Sequence, residues 1–181
     1  MPTARPHLLE DGPAREALRQ AAAVLDIAEL TGQPFAMSEA LAQVGRCYRG
    51  LGAHGAAEAA FAQALRWSHL TGAGDMAVDL LCDLAEVAAD QADCAEEADD
   101  APAQRAARER ARDHAFSAAT AAAAASDTGF EATALMRACS VLERCGDRHD
   151  AQSLLKRARA LRSGKTAAAP DIATLSPRGA A

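Results

Sequence analysis

The sequence contains few aromatic residues: they make up only 3% of its 181 residues, as one Trp, one Tyr and four Phe. Half of the residues are apolar, but many of these are alanine, which adds helix propensity and close packing rather than large buried side chains. A single large core would therefore be thin, and several thin layers suit this composition better. The excess of arginine over lysine and the abundance of alanine are typical of a GC-rich bacterial genome.

Long apolar runs are absent as well. No stretch of about eighteen apolar residues occurs, which argues against a membrane-spanning helix. The first residues, MPTARPHLLEDGP, lack the apolar core of a secretory signal. The net charge of −6 and the pI near 5.3 argue against a general affinity for nucleic acid or anionic lipid. We therefore expect a cytoplasmic protein that binds neither nucleic acid nor membranes.

The five cysteines form no recognisable framework, because their number is odd and no C-x-x-C occurs. Cys139, Cys145 and His149 could be metal ligands, but Cys139 falls on a packing position and Gly146 interrupts the helix before His149. Structural roles are therefore favoured. The acidic run from 90 to 100 could attract a cation or a basic partner. It lacks the glycine and the ligand spacing of a calcium loop, which favours a solvated linker.

Motifs of catalysis are missing too. The segment SGKT at 163–166 ends like a phosphate-binding loop, but no glycine lies five residues before Gly164 and no strand precedes it. No G-x-S-x-G, Rossmann glycines or paired carboxylates occur. We expect no catalytic site, no cofactor and no metal.

Helical periodicity dominates what is present. Between regularly spaced Pro and Gly residues, apolar residues recur at i, i+3, i+4 and i+7, and no segment alternates as a strand does. This pattern predicts an all-α protein with seven helices, at about 14–31, 36–50, 54–71, 76–92, 104–126, 130–145 and 148–163. It also predicts a domain over 13–164 with an acidic loop insertion at about 92–103, a flexible tail over 1–12 and a disordered tail over 165–181.

Internal repetition is the strongest signal in the sequence. The triplet Leu-Thr-Gly occurs at 30–32 and 70–72, and Asp-Thr-Gly echoes it at 127–129. A longer pattern joins two successive helices at Leu41, Val44, Gly45, Tyr48, Gly52, Ala57, Phe61 and Ala64. The same spacing recurs 94 residues later at Leu135, Ala138, Cys139, Leu142, Gly146, Ala151, Leu155 and Ala158. A middle copy keeps only its first helix, at Leu81, Leu84, Ala85 and Ala88.

This spacing resembles the tetratricopeptide repeat (TPR), whose pattern is a bulky residue, then Leu-Gly-x-x-Tyr, then Ala-x-x-x-Phe and a further alanine. The resemblance implies a right-handed α-solenoid of antiparallel helix pairs with roughly three repeats. Small residues such as Gly45, Ala57 and Ala64 would let the helices approach, while Tyr48 and Phe61 would fill the spaces beside them.

The resemblance also implies a function. The first helix of each pair would line a concave groove that holds a peptide or a partner helix, so the protein would be a protein–protein interaction adaptor or scaffold. The groove residues would be Glu39, Gln43, Arg46, Arg49, Asp79, Asp83, Glu86 and Arg137. Each of these charges could instead simply solvate an exposed face. The alternatives are a self-assembling structural protein or homo-oligomer, a secretion-type chaperone and, less favoured, a metal-dependent regulator.

Overall fold

The computed structural model describes residues 12–164, which form seven α-helices and no strand within that range. The helices are α1 (Pro13–Thr31), α2 (Pro34–Gly50), α3 (His54–Thr71), α4 (Gly74–Glu97), α5 (Ala101–Ala122), α6 (Thr128–Arg144) and α7 (Arg148–Arg162). The all-α prediction is confirmed. The terminal segments predicted as tails lie outside the described residues, apart from Gly12.

The two Leu-Thr-Gly triplets end α1 and α3 in the same way. Gly32 and Gly72 adopt left-handed conformations, with φ of 62° and 67°, and the preceding threonine hydroxyls each donate to a carbonyl three residues earlier, at 2.8 and 2.7 Å. The Asp-Thr-Gly triplet at 127–129 lies at the start of a helix instead of at its end. Asp127 begins α6 as its N-cap, and its side chain accepts from the backbone N–H of Gly129 at 2.7 Å.

Helices α2, α4 and α6 each end in a second type of C-terminal cap. After α2, Gly52 has a φ of 72°, its N–H donates to the Arg49 carbonyl at 2.9 Å, and the Ala53 N–H donates to the Tyr48 carbonyl at 2.9 Å. This is the Schellman motif. The same pair of bonds recurs at Asp99 and Gly146, with φ of 56° and 88°. The three caps are evenly spaced, since 99 − 52 = 47 and 146 − 99 = 47.

The acidic segment at about 92–103 differs from the predicted loop. Helix α4 continues to Glu97 and α5 begins at Ala101, so only three residues separate them. Two features stabilise the additional turns of α4: Ala92 is buried, and the Arg108 guanidinium donates to Glu96 at 3.0 Å. Asp100 then caps α5, because its carboxylate accepts from the Ala103 N–H at 3.0 Å.

Packing follows chain order. Each helix contacts the next, and α4 also contacts α6 and, less extensively, α2. Helix α4 joins two buried clusters: Leu80, Leu84 and Val87 belong to the cluster that includes α1–α3, whereas Ala85, Ala88 and Ala89 belong to the cluster that includes α5, α6 and α7. The alternate helices α2, α4 and α6 are therefore neighbours, with α4 in the middle.

The predicted contact between small and aromatic residues occurs in the first helix pair. Phe61 is fully buried, and its ring lies directly over Gly45, where a Cβ atom would come within 2.7 Å of the ring. In the last pair Leu154 is fully buried and Leu155 only partly. Helix α5 differs from both, because all six of its buried residues are alanine.

Arg157 forms a buried ion pair between α7 and α6. Its Nε donates to the Glu131 carboxylate at 2.7 Å, and both side chains are almost fully buried. This ion pair ties α7 to α6. Only Arg159 and Arg162 remain in the last turn of α7.

No helix within residues 12–164 combines the length and apolar character needed to cross a membrane.

Candidate functional site

A stripe of carboxylates runs along α4. Its members are Asp79, Asp83, Glu86, Asp90 and Asp93. They are spaced alternately four and three residues apart, which places them on one side of the helix. This side faces arginines from both neighbouring alternate helices, α2 and α6.

Two arginines reach the stripe from α2. The Arg49 Nε donates to Asp90 at 2.7 Å, and its guanidinium also pairs with Glu86. One turn earlier, an Arg46 Nη donates to Asp83 at 3.4 Å. The Arg46 side chain is 57% exposed and that of Arg49 is 31% exposed, so Arg49 is the more firmly enclosed of the two.

Two further arginines reach the stripe from α6. The Arg137 Nε donates to Glu86 at 2.7 Å, and its guanidinium also pairs with Asp83 and lies 3.5 Å from Asp79. Arg144 donates to Asp90 at 2.8 Å and pairs with Asp93. Together the four arginines and five carboxylates form one ion-pair network, which we name the α4 network.

Ion pairing in the network favours the charged forms of Asp90 and Arg49. Burial alone would raise the pKa of Asp90, but hydrogen bonds and charge from Arg49 and Arg144 outweigh burial and lower it. The pKa of Arg49 is raised, because its bonds to Asp90 and Glu86 outweigh the opposing effect of burial. Asp79 is the exception: partial burial raises its pKa, and Arg137 only partly compensates.

Six of the eight residues predicted from sequence lie in this network: Arg46, Arg49, Asp79, Asp83, Glu86 and Arg137. The structure pairs the basic and acidic residues of this set with one another. Gln43 is exposed on α2 and makes no side-chain hydrogen bond within residues 12–164. Glu39 is exposed as well, and it lines a pocket.

This pocket opens between α2 and the start of α4 and has a volume of about 630 Å³. Its wall includes Glu39, Ala42 and Arg46 from α2, the turn 72–74, and Asp75, Met76, Asp79, Leu80 and Asp83 from α4, with Phe35 at its edge. Phe35 is 51% exposed. Glu39 and Asp75 are exposed and form no ion pair within the described chain.

Phe35, Asp75 and Met76 were not predicted as site residues. They lie in the first turns of α2 and α4, where sequence analysis placed a boundary rather than a surface. Asp90, Asp93 and Arg144 were also missed as network members. The signal for the two aspartates was available, because their spacing continues that of Asp83 and Glu86.

The described residues offer little for metal binding or nucleophilic catalysis. No group of three or more His, Cys, Asp or Glu side chains is arranged to hold a metal ion within residues 12–164. Cys82 lies beneath the network, where burial raises its pKa to about 12. Its thiol therefore stays protonated at neutral pH, which does not suit a nucleophile.

Comparison with protein-family models, curated proteins and solved structures finds no match for this chain.

Proposed function

We propose that this chain is a TPR-like helical-repeat module that acts as a protein–protein interaction adaptor. Three features support a repeat architecture: the contacts between successive helices, the adjacency of α2, α4 and α6, and the evenly spaced caps at Gly52, Asp99 and Gly146. In such an architecture stacked helix pairs provide an extended binding surface. The surface of interest here is the side of α2, α4 and α6 that carries the α4 network.

The observation that carries the proposal is the pocket between α2 and α4. It combines a half-exposed aromatic ring, Phe35, with buried and partly buried apolar side chains and with carboxylates at Glu39 and Asp75 that form no ion pair within residues 12–164. An apolar surface with a few oriented polar groups is typical of a binding site. The α4 network links the two helices that form the walls, because Arg46 and Arg49 on α2 pair with carboxylates on α4. A pocket held in shape before binding loses less entropy when its ligand enters.

The charge of the pocket specifies the chemistry of the partner. Its lining has four carboxylates, Glu39, Asp75, Asp79 and Asp83, but only one cationic residue, Arg46. Asp83 is already paired with two arginines, and Asp79 lies 3.5 Å from the Arg137 guanidinium, so the available charge is concentrated at Glu39 and Asp75. We therefore propose a basic peptide or amphipathic helix, with an aliphatic or aromatic anchor that packs against Phe35 and Met76.

A random peptide library displayed on phage and selected on the full chain tests this proposal. We expect the enriched peptides to combine Lys or Arg with at least one large apolar residue. Synthetic peptides from this set should lose about tenfold or more in affinity for Phe35→Ala and for Glu39→Lys/Asp75→Lys, because these variants remove the anchor contact and reverse the charge. Fluorescence anisotropy would give the affinities.

The matched control is Glu109→Lys/Asp113→Lys, which makes the same charge reversal at two exposed positions of α5. This variant should bind the peptides as the wild type does, apart from a small general charge effect. Peptides that bind all variants equally would move the site elsewhere, and enriched peptides without basic residues would contradict the proposed chemistry.

A further inference from the structure

Phe35 differs from the other aromatic residues of the chain because its ring is exposed. All six aromatic residues lie within residues 12–164. Five of them belong to the buried clusters or pack against them, namely Tyr48, Phe61, Trp67, Phe116 and Phe130. Phe35 is 51% exposed. A single exposed apolar side chain is ordinary on a protein surface, so the meaning of this ring depends on its neighbours.

Helix α2 places a carboxylate next to the ring. Phe35, Glu39, Ala42 and Arg46 all line the pocket, and their spacing of four, three and four residues puts them within about 60° of one another around the helix. Residues four apart on a helix are neighbours on its surface, so Glu39 adjoins Phe35. Glu39 forms no ion pair within the described chain, and its charge is available to a ligand.

Helix α4 places a second available carboxylate across the pocket. The Arg46–Asp83 bond joins positions 37 residues apart, and higher numbers on α2 pair with higher numbers on α4 throughout the α4 network. The two helices therefore run in the same direction. With this offset Glu39 lies opposite Met76, the chain neighbour of Asp75. Asp75 lines the same pocket and is likewise without an ion pair between residues 12 and 164.

We propose that this end of the pocket, formed by Phe35, Glu39 and Asp75, binds an arginine side chain of the partner peptide. The inference rests on the proposed function and specifies the cation that the pocket selects. A guanidinium is planar, weakly hydrated and able to stack on an aromatic face, whereas a lysine ammonium is compact and strongly hydrated. The guanidinium also has five N–H donors in a fixed fork, which suits two carboxylates presented by different helices.

The opposite end of the pocket does not offer the same chemistry. Arg46 lies there and pairs with Asp83, which also pairs with Arg137. Asp79, between the two ends, lies 3.5 Å from the Arg137 guanidinium. These carboxylates already have cationic partners within the chain, so a cation from outside is attracted most strongly to the end that carries the ring.

The charge of the pocket favours an arginine within a polypeptide over the free amino acid. Free arginine carries an α-carboxylate, and the pocket lining has four carboxylates but only one cationic residue, Arg46. A peptide bond in place of the α-carboxylate removes this repulsion. The residues that flank the arginine in a peptide also reach Met76 and the part of the Phe35 ring that the guanidinium leaves open, which accommodates the apolar anchor.

Two-dimensional NMR titration of the full chain with blocked tripeptides tests this inference. The probes are acetyl-Leu-Arg-Leu-amide and the same tripeptide with either lysine or citrulline in place of arginine; citrulline is neutral and nearly the same shape as arginine. We expect the arginine tripeptide to shift resonances of the pocket residues and to bind about three- to tenfold more tightly than the lysine tripeptide. The citrulline tripeptide and free L-arginine should both bind more weakly than the arginine tripeptide.

Substitutions in the chain separate the ring from the carboxylates. Phe35→Leu keeps an apolar side chain without an aromatic face, so the preference for arginine over lysine should fall to about twofold or less. Glu39→Gln/Asp75→Asn removes both charges with little change in shape. It should weaken the arginine tripeptide by about tenfold or more and leave the citrulline tripeptide nearly unaffected.

The matched control is Glu109→Gln/Asp113→Asn, which removes two exposed charges from α5 and should bind all probes as the wild type does. Circular dichroism would verify that each variant remains helical.

Failure of the arginine site is distinguishable from failure of the proposed function. Equal binding of the arginine and lysine tripeptides, no binding of the arginine tripeptide, or free arginine that binds as tightly as the tripeptide would overturn the arginine site. An arginine preference that survives Phe35→Leu unchanged would overturn the stacking on the ring. In each case, library peptides that still lose affinity for Glu39→Lys/Asp75→Lys would leave the peptide pocket standing. If library peptides also bind independently of the pocket, both proposals fail.

Discussion

At the scale of single residues, Gly45 sets the distance between α2 and α3. Its lack of a side chain lets the Phe61 ring lie against the backbone of α2, and a Cβ atom at this position would meet three ring carbons at 2.7–2.9 Å. The ring is fully buried and belongs to a cluster that extends to α1 and α4. It therefore cannot move aside without disturbing several neighbours.

We expect Gly45→Ala to lower the free energy of unfolding by about 1–3 kcal/mol, since overpacking outweighs the gain in helix propensity. Gly50→Ala is the matched control in the same helix, because a Cβ atom there meets nothing within 4 Å. It should leave stability unchanged or raise it by up to about 1 kcal/mol. Urea denaturation followed by circular dichroism measures both, and equal effects of the two substitutions would contradict the close approach.

Asp99 occupies a left-handed position that glycine fills in the two equivalent caps, with a φ of 56°. A side chain in this conformation costs free energy that glycine avoids. Asp99→Gly should therefore raise the free energy of unfolding by about 0.5–1 kcal/mol, and Gly146→Asp should lower it by a similar amount. Thermal unfolding compares the two variants, and a shift of both in the same direction would argue against the equivalence of the caps.

At the scale of elements, α4 organises the molecule, because it contributes to both major buried clusters and supplies every carboxylate of the α4 network. The arginines of α2 and α6 meet on it and share acceptors: Arg49 and Arg137 both bind Glu86, and Arg49 and Arg144 both bind Asp90. Loss of one carboxylate therefore affects both neighbouring helices.

We expect Asp90→Asn to lower the free energy of unfolding at neutral pH by about 1.5–3 kcal/mol, the range for hydrogen bonds to charged groups. The pKa of Asp90 in the folded protein is below its ordinary value of 3.8. Its ionised form therefore stabilises the fold above the ordinary pKa, and this contribution is lost as pH falls through the lower, folded-state value. The difference between wild type and variant should shrink below about pH 4.

Denaturant titrations at several pH values measure this difference. Asp75→Asn provides the control, because Asp75 is an exposed carboxylate without an ion pair in the described chain, and its effect should stay within about 0.5 kcal/mol. A difference for Asp90→Asn that persists undiminished in strong acid, where both side chains are uncharged, would contradict an ionic contribution.

The sequence predicted the helices well where the apolar periodicity and the flanking Pro and Gly residues indicated the same helix ends. Pro and Gly residues located the ends of α1, α2 and α3 to within two residues. The end of α4 was missed, because a run rich in acidic residues was interpreted as solvated linker, whereas several of its charges are neutralised by Arg144 and Arg108. Such partners are distant in sequence, so local composition cannot reveal them. For the same reason, sequence identified six charged residues on one surface but not their mutual pairing.

At the scale of the whole molecule, the repeat period was obscured by uneven helix lengths. The Leu-Thr-Gly signals are 40 residues apart, and their later echo follows after 57, so no single period is visible in them. The caps at Gly52, Asp99 and Gly146 are 47 residues apart, but the middle one lacks the glycine that marks the other two. A left-handed aspartate leaves little trace in a single sequence, although its φ makes the equivalence plain.

The alanine composition of the buried side of α5 has a consequence for how this protein can change over generations. All six buried residues of α5 are alanine, and every substitution other than glycine adds volume where the helices are close together. Glycine would cost helix propensity instead. Both larger residues and glycine therefore destabilise the packing of α5. A larger side chain on this helix would need a compensating change on a neighbouring helix. Variation among descendants should therefore accumulate on the exposed faces, where new binding specificities can arise without disturbing the scaffold.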